Sequence, residues 1–181
     1  QGGASQQFAA IPHNLGSDAH SADYVVTGQW SKKALAEGGR FVKASVAASS
    51  ADDNFRSVPA FDSWTLNPNA AFLHYCPNET IGGLEFPWIP DVAAPLVADM
   101  SSTLLSRPID VSRFGAIYAG AQKNIGPAGL VLVIVRRDLL GAASERCPAT
   151  LNWTVAESNQ SMYNTPPTFS IYLAGLVFEW L

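Results

Sequence analysis

The chain has 181 residues, and 11 basic against 15 acidic side chains give a formal charge of −4 at pH 7. An isoelectric point near 5.2 argues against a nucleic-acid partner, which needs a basic stripe to displace counterions. The longest uninterrupted apolar run, Leu130 to Val135, is far shorter than the roughly 20 residues of a membrane-spanning helix.

At 48% hydrophobic and 14% charged, the composition is that of one globular domain with a real core. Two cysteines, Cys76 and Cys147, cannot build a disulfide framework, so a reducing, cytoplasmic compartment is expected. The chain starts at Gln1 without a charged-then-apolar leader and stops within the apolar run Leu176–Leu181. Both ends read as cuts through a longer protein.

In chain order, Gly2-Gly3-Ala4-Ser5 predicts a tight loop entering a helix over the apolar-periodic residues up to Pro12. Ala22 to Gln29 suits a short strand around Tyr24-Val25-Val26, and Ser31 to Gly38 a helix capped by Ser31 and stopped by Gly38-Gly39. Phe41 to Val46 reads as a strand, and residues 47–69, with Pro59 and Pro68, as loop with one short helix near 59–64. Four apolar strands follow, at 70–76, 94–98, 114–119 and 130–135, with a helical turn at 138–141. Near-continuous apolar strands imply a sheet covered on both faces, the α/β class, and such sheets place ligands at the carboxyl ends of their strands.

Two strand ends carry the chemistry. Lys123 follows a buried strand in Ala119-Gly120-Ala121-Gln122-Lys123-Asn124-Ile125-Gly126-Pro127-Ala128-Gly129. Small apolar flanks predict a partly desolvated amine of lowered pKa, suited to a Schiff base. Asp99 ends the neighbouring strand 24 residues earlier; it is either a helix cap or the partner of a pyridinium nitrogen. The Gly2–Ser5 loop could cradle a phosphate on backbone N–H groups and the helix dipole. The three histidines are scattered without ligand spacing, so no metal site is expected.

Longer runs carry a resemblance. His74-Tyr75-Cys76-Pro77-Asn78-Glu79-Thr80, Ser106-Arg107-Pro108-Ile109-Asp110-Val111-Ser112-Arg113, the Lys123 segment and Met162-Tyr163-Asn164-Thr165-Pro166-Pro167-Thr168-Phe169 resemble the phosphoserine aminotransferase family, a branch of the class-V pyridoxal-phosphate-dependent aminotransferases. The resemblance spans essentially the whole chain and is looser over residues 31–69. It implies a fold-type-I large domain, a mostly parallel mixed sheet in a three-layer α/β/α arrangement, over residues 1–181. Both ends would be truncated, and the small C-terminal domain absent.

By the same resemblance, Lys123 would carry pyridoxal 5′-phosphate and Gln122 would touch its phosphate. Asp99 would pair with the ring nitrogen, Trp30 would stack on the ring, and Thr80 would bond near its 3-hydroxyl. Ala4 and Ser5 would cradle the phosphate, and Asn164 and Thr165 would reach the cofactor of the other subunit in a homodimer. Where some family members carry arginine, this chain has Ser5, leaving backbone N–H and hydroxyl as the contact. Without the resemblance, Trp30 reads as a core or interface residue, Thr80 as a cap or turn residue, and Asn164-Thr165 as loop. Arg107 is open between a structural ion pair and a substrate-phosphate role, and His74 reads as structural.

The implied reaction passes an amino group between L-glutamate and 3-phosphohydroxypyruvate, giving O-phospho-L-serine and 2-oxoglutarate. That step belongs to serine biosynthesis and, in bacteria, to pyridoxine biosynthesis. A fragment lacking the substrate-clamping arginines is expected to be weakly active or inactive. Two alternatives are another pyridoxal enzyme of the same fold and a non-catalytic folding or dimerisation unit. A desulfurase would need a mobile reactive cysteine, which neither Cys76 in its strand nor Cys147 before Pro148 supplies.

Overall fold

A computed structural model describes residues 2–16 and 20–181. Helix α1 (Gly3–Leu15) leads into β1 (Ser21–Val26), α2 (Gln29–Gly38) and β2 (Lys43–Ser49). Strand β3 (Ala70–Tyr75), a small hairpin of β4 (Asn78–Glu79) and β5 (Leu84–Glu85), then β6 (Leu96–Asp99), β7 (Ala116–Gly120) and β8 (Val131–Val135) follow. Helices α3 (Trp153–Ser158) and α4 (Thr168–Trp180) end the chain.

Six strands form one sheet in the order β2-β1-β3-β6-β7-β8. All neighbours are parallel except β7 and β8, which run antiparallel. The mixed, mostly parallel sheet expected from the sequence is therefore present. Side chains alternate strictly between its faces. Tyr24, Val26, Phe72, Val97, Ala116 and Tyr118 pack with Phe8 and Ile11 of α1, Ala34 of α2 and Trp153 of α3. On the opposite face, Val25, Leu73, Tyr75, Ala98, Ile117 and Ala119 meet Trp64, Phe86, Met100 and Ala174. This second layer is built largely from aromatic-rich loops, with α4 reaching it through Ala174.

Local chemistry moved several boundaries. Helix α2 begins at Gln29 behind Gly28, and Ser31 sits inside its first turn. Instead of starting the helix, the Ser31 hydroxyl accepts from the N–H groups of Thr27 (2.9 Å) and Gly28 (3.1 Å). Strand β2 starts at Lys43 because Phe41 and Val42 both donate to the Gly38 carbonyl in a closing turn. Short 3-10 turns at Ala51–Asp53 and Phe61–Ser63 interrupt the long loop, the second near the short helix expected there. Helix α4 is apolar all round, with Phe169, Tyr172 and Trp180 exposed, so no helical period announces it. No helix among the described residues is long and apolar enough to cross a membrane.

Candidate active site

Four adjacent strands deliver one side chain each to the same edge. Trp30 follows β1, Thr80 follows β3, Ser102 follows β6 and Lys123 follows β7, in the order those strands take in the sheet. The Lys123 ammonium donates to Thr80 Oγ1 at 2.5 Å and to Ser102 Oγ at 3.3 Å. The two hydroxyls also bond each other at 2.5 Å. Lys123 Nζ lies 5.1 Å from the centroid of the Trp30 ring, within cation–π range. Lys123, Thr80 and Trp30, separated by up to 93 positions in the sequence, thus form one cluster.

The expected desolvation of Lys123 is not found. Its apolar neighbours Ala121 and Ile125 turn into the core at 0% and 1% exposure, which leaves Lys123 exposed on the other side of the turn. Its amine is held by two hydroxyls rather than by an apolar wall.

Asp99 closes β6 beneath this cluster at 7% exposure. It does not cap a following helix. Its Oδ1 accepts from the N–H (3.0 Å) and hydroxyl (2.6 Å) of Ser101, and that hydroxyl accepts from the Gly120 N–H at 3.0 Å. Burial pushes the Asp99 carboxyl up, while the Ser101 bonds, the Lys123 charge and a bond from Tyr118 pull it back. The Tyr118 hydroxyl also meets His74 Nε2 at 2.8 Å. His74, Tyr118 and Asp99 therefore form a buried polar chain across β3, β7 and β6.

The role of His74 is structural, and it predicts a pH dependence. Complete burial holds its imidazole neutral, with a pKa pushed down to about 3. Such a depressed value gives stability that is complete above the unfolded pKa near 6.5 and is lost as pH falls from there toward 3. The slope reaches up to about 1.4 kcal/mol per pH unit for the one proton involved. Urea midpoints of wild type and His74→Gln from pH 8 to 4 check this. The difference between the two should shrink with acidification, and a constant difference would refute it.

The remaining predicted residues fall in separate places. Ala4 and Ser5 occupy the first turn of α1, half-buried and exposed respectively. No side chain caps that turn, and Gly2 at its entry adopts φ +77°, a left-handed conformation that favours glycine. Helix α1 feeds the start of β1 and packs against β7, so its N-terminus opens at the same carboxyl edge as the cluster. Gln122 is exposed beside Lys123. Asn164 and Thr165 are exposed in the loop between α3 and α4. Arg107 pairs with Glu85 at 2.6 Å and Arg113 donates to the Ile89 carbonyl.

Four contributors went unnoticed in the sequence: Ser102, Ser101, Tyr118 and Glu79. Glu79 is 1% exposed and accepts from the backbone N–H groups of Trp30 and Ser31, each at 2.9 Å. Burial pushes the Cys76 thiol well up, helped by the carboxyls of Asp99 and Glu79, the opposite of a reactive cysteine. Among the described residues, no group of three His, Cys, Asp or Glu side chains is placed to hold a metal ion.

Comparison with known proteins places this edge in context. Residues 1–181 match the class-V aminotransferase family. Over its whole length the chain is 64% identical to a phosphoserine aminotransferase of Hahella chejuensis, of which it covers 50%. The phosphoserine aminotransferase of Bacillus circulans subsp. alkalophilus superimposes on 99% of the chain with a TM-score of 0.96 and 47% identity, over 50% of its own length. The pyridoxal-phosphate-bound enzyme from Trichomonas vaginalis covers 98% with a TM-score of 0.91 at 47% identity, over 51% of its own length. The chain spans about half the length of the relatives it matches, and its sheet is that of the fold-type-I enzymes.

Proposed function

The chain belongs to the class-V aminotransferases, and from that premise we propose that it binds pyridoxal 5′-phosphate at the carboxyl edge of its sheet. We propose further that residues 1–181 are the cofactor-binding large domain of a phosphoserine aminotransferase. One observation carries the reading: a lysine, a hydroxyl pair, an aromatic plate and a buried carboxylate are gathered from neighbouring strand ends.

The residues present fit the cofactor. The uncapped first turn of α1, with Ala4 and Ser5, offers N–H donors and a positive dipole end to its phosphate. Gln122 would add a side-chain contact there. The buried Trp30 Nε1 has no hydrogen-bond partner within the chain, leaving a donor available to a bound group. Lys123 supplies the amine to carry the aldehyde carbon, Thr80 a hydroxyl for the ring oxygen, and Asp99 a carboxylate for the ring nitrogen.

Bound there, pyridoxal phosphate supplies a carbonyl for amines and a protonated ring that accepts electron density from the substrate Cα. Asp99 holds the proton at the ring nitrogen. Trp30 would cover one face of the ring and exclude water from it. When its amine is free, Lys123 is held by Thr80 and Ser102, as observed, and it takes and returns the proton at the substrate Cα. The relatives are named for phosphoserine, and we propose 3-phosphohydroxypyruvate and L-glutamate as substrates, with O-phospho-L-serine and 2-oxoglutarate as products. Asn164 and Thr165, on their exposed loop, would reach the partner's cofactor phosphate in a homodimer in the cytoplasm.

Borohydride reduction of the cofactor-loaded protein followed by peptide mapping tests the reading. The pyridoxyl mass is expected on Lys123. Finding it on Lys32, Lys33 or Lys43, all exposed, would overturn the site.

A further inference from the structure

The N-terminus of α2 raises a question that its own sequence leaves open. A helix start is ordinarily capped locally, by a Ser, Thr, Asp or Asn at the N-cap. Here the N-cap is Gly28 and offers no side chain. The cap comes instead from Glu79, 48 to 49 positions away in the β4–β5 hairpin. One Glu79 oxygen accepts from Trp30 N–H at 2.9 Å. The other accepts from Ser31 N–H at 2.9 Å and from the Ser31 hydroxyl at 2.5 Å. That hydroxyl in turn accepts from Thr27 and Gly28 N–H, so the whole turn hangs on one carboxyl group.

The glycine is what makes the reach possible. A β-carbon on residue 28 would stand 2.6 Å from the Glu79 carboxyl carbon and 2.7 Å from one of its oxygens. A local side-chain cap and the distant carboxyl therefore exclude each other, and this chain has the distant one. The consequence is geometric. Glu79 directly precedes Thr80, which holds Lys123, and directly grips the backbone of Trp30, whose ring faces Lys123. One buried side chain ties together two walls that follow different strands of the sheet.

We infer that Glu79 is a positioning residue of the active site, setting the Trp30 ring against Thr80 and Lys123 by clamping the first turn of α2 to the hairpin. This rests on the reading that the cluster binds pyridoxal phosphate. A cap that served folding alone would act on stability without acting through Trp30.

The test is a double-mutant cycle on cofactor release in the whole protein, read by the loss of cofactor absorbance into a trapping apo-enzyme. Glu79→Gln keeps the shape but turns one oxygen into a donor facing a backbone N–H. It is expected to release pyridoxal phosphate about tenfold faster, the usual effect of leaving one buried donor unpaired. In a Trp30→Ala background, where the positioned ring is gone, the same change should add less than about twofold. A full tenfold effect in that background, or wild-type release from Glu79→Gln itself, overturns the inference. Should Glu79→Gln fail to fold, Ser31→Ala removes the hydroxyl bond to the carboxyl group together with the acceptor for the Thr27 and Gly28 N–H groups, and leaves the Trp30 and Ser31 N–H bonds to Glu79 in place. It is expected to speed release a few-fold in the wild type and not in Trp30→Ala, and equal effects in both would overturn the inference. Wild-type protein that takes up no pyridoxal phosphate overturns the underlying reading together with the inference. Uptake with unchanged release in the variants overturns the inference alone.

Discussion

In a full-length enzyme containing this domain, Asp99→Asn is expected to lower turnover by about three orders of magnitude while leaving the fold intact and pyridoxal phosphate bound. The amide keeps the shape of the carboxylate, and its oxygen can still accept from the Ser101 N–H and hydroxyl that now bond Oδ1. What it loses is the negative charge that holds a proton on the ring nitrogen, so electron density arriving from the substrate Cα has no sink. Stability should move the other way. Burial raises the Asp99 pKa above its ordinary value near 3.8, so the folded protein prefers the neutral acid. The stability this gives is complete below the unfolded value and is lost as pH rises through the raised one. Above the unfolded value the cofactor-free protein therefore bears a cost that the amide, which does not titrate, removes. The expected result is a cofactor-free thermal midpoint equal to or above wild type, alongside a collapsed kcat. Near-parental turnover, or a marked drop in the midpoint, would show that Asp99 serves the structure instead.

The strand ends were the legible part of this molecule, because a polar residue that terminates an apolar run has few places to go. Asp99 and Lys123 stood out on that ground before any resemblance was invoked, and both lie at the carboxyl edge. Ser102 did not, since Ser101-Ser102-Thr103 offers three similar hydroxyls and nothing in the order tells which one turns toward Lys123. Glu79 was hidden for another reason. In Asn78-Glu79-Thr80 nothing marks it, and its bonds go to backbone N–H groups nearly fifty positions away, which carry no side-chain signature. Tyr118 passed for core because its ring is core; only its hydroxyl, between His74 and Asp99, is not.

Errors of environment had a common cause. The flanks of Lys123 are small and apolar, and a linear reading assigns their surroundings to the lysine. In three dimensions a tight turn separates neighbours: Ala121 and Ile125 enter the core, and the three residues between them are exposed. Ser31 was misread in the same way, since a serine ahead of an apolar stretch can either cap a helix or sit within its first turn. Gly28, with no side chain to cap, decided for the second. Helix α4 lacked a period altogether, because Phe169, Ile171, Tyr172, Leu176 and Phe178 leave no polar face to mark its turns.

In a full-length enzyme containing this domain, Lys123→Ala should have the largest effect of any single change, lowering turnover by about 10⁴-fold or more, because on the proposed reading one amine serves two roles. It would carry the cofactor, and it would move the proton at the substrate Cα. The geometry around its amine suits the second role. The ammonium bridges Thr80 and Ser102, whose hydroxyls also bond each other, so the chain is fixed in direction even though its end is exposed. Alanine leaves that hydroxyl pair and the Trp30 ring in place, so the cofactor should still bind, more weakly and without a bond that borohydride can fix to the protein. Mass spectrometry after reduction should then show no pyridoxyl label on any lysine. A small exogenous amine, able to enter the space vacated above Thr80 and Ser102, should restore part of the proton transfer in proportion to its basicity. Proportional rescue identifies the missing group as a base, which a structural lysine would not require. Persistence of the label on another residue, or turnover near that of wild type, would mean that the chemistry at this edge belongs to a different side chain.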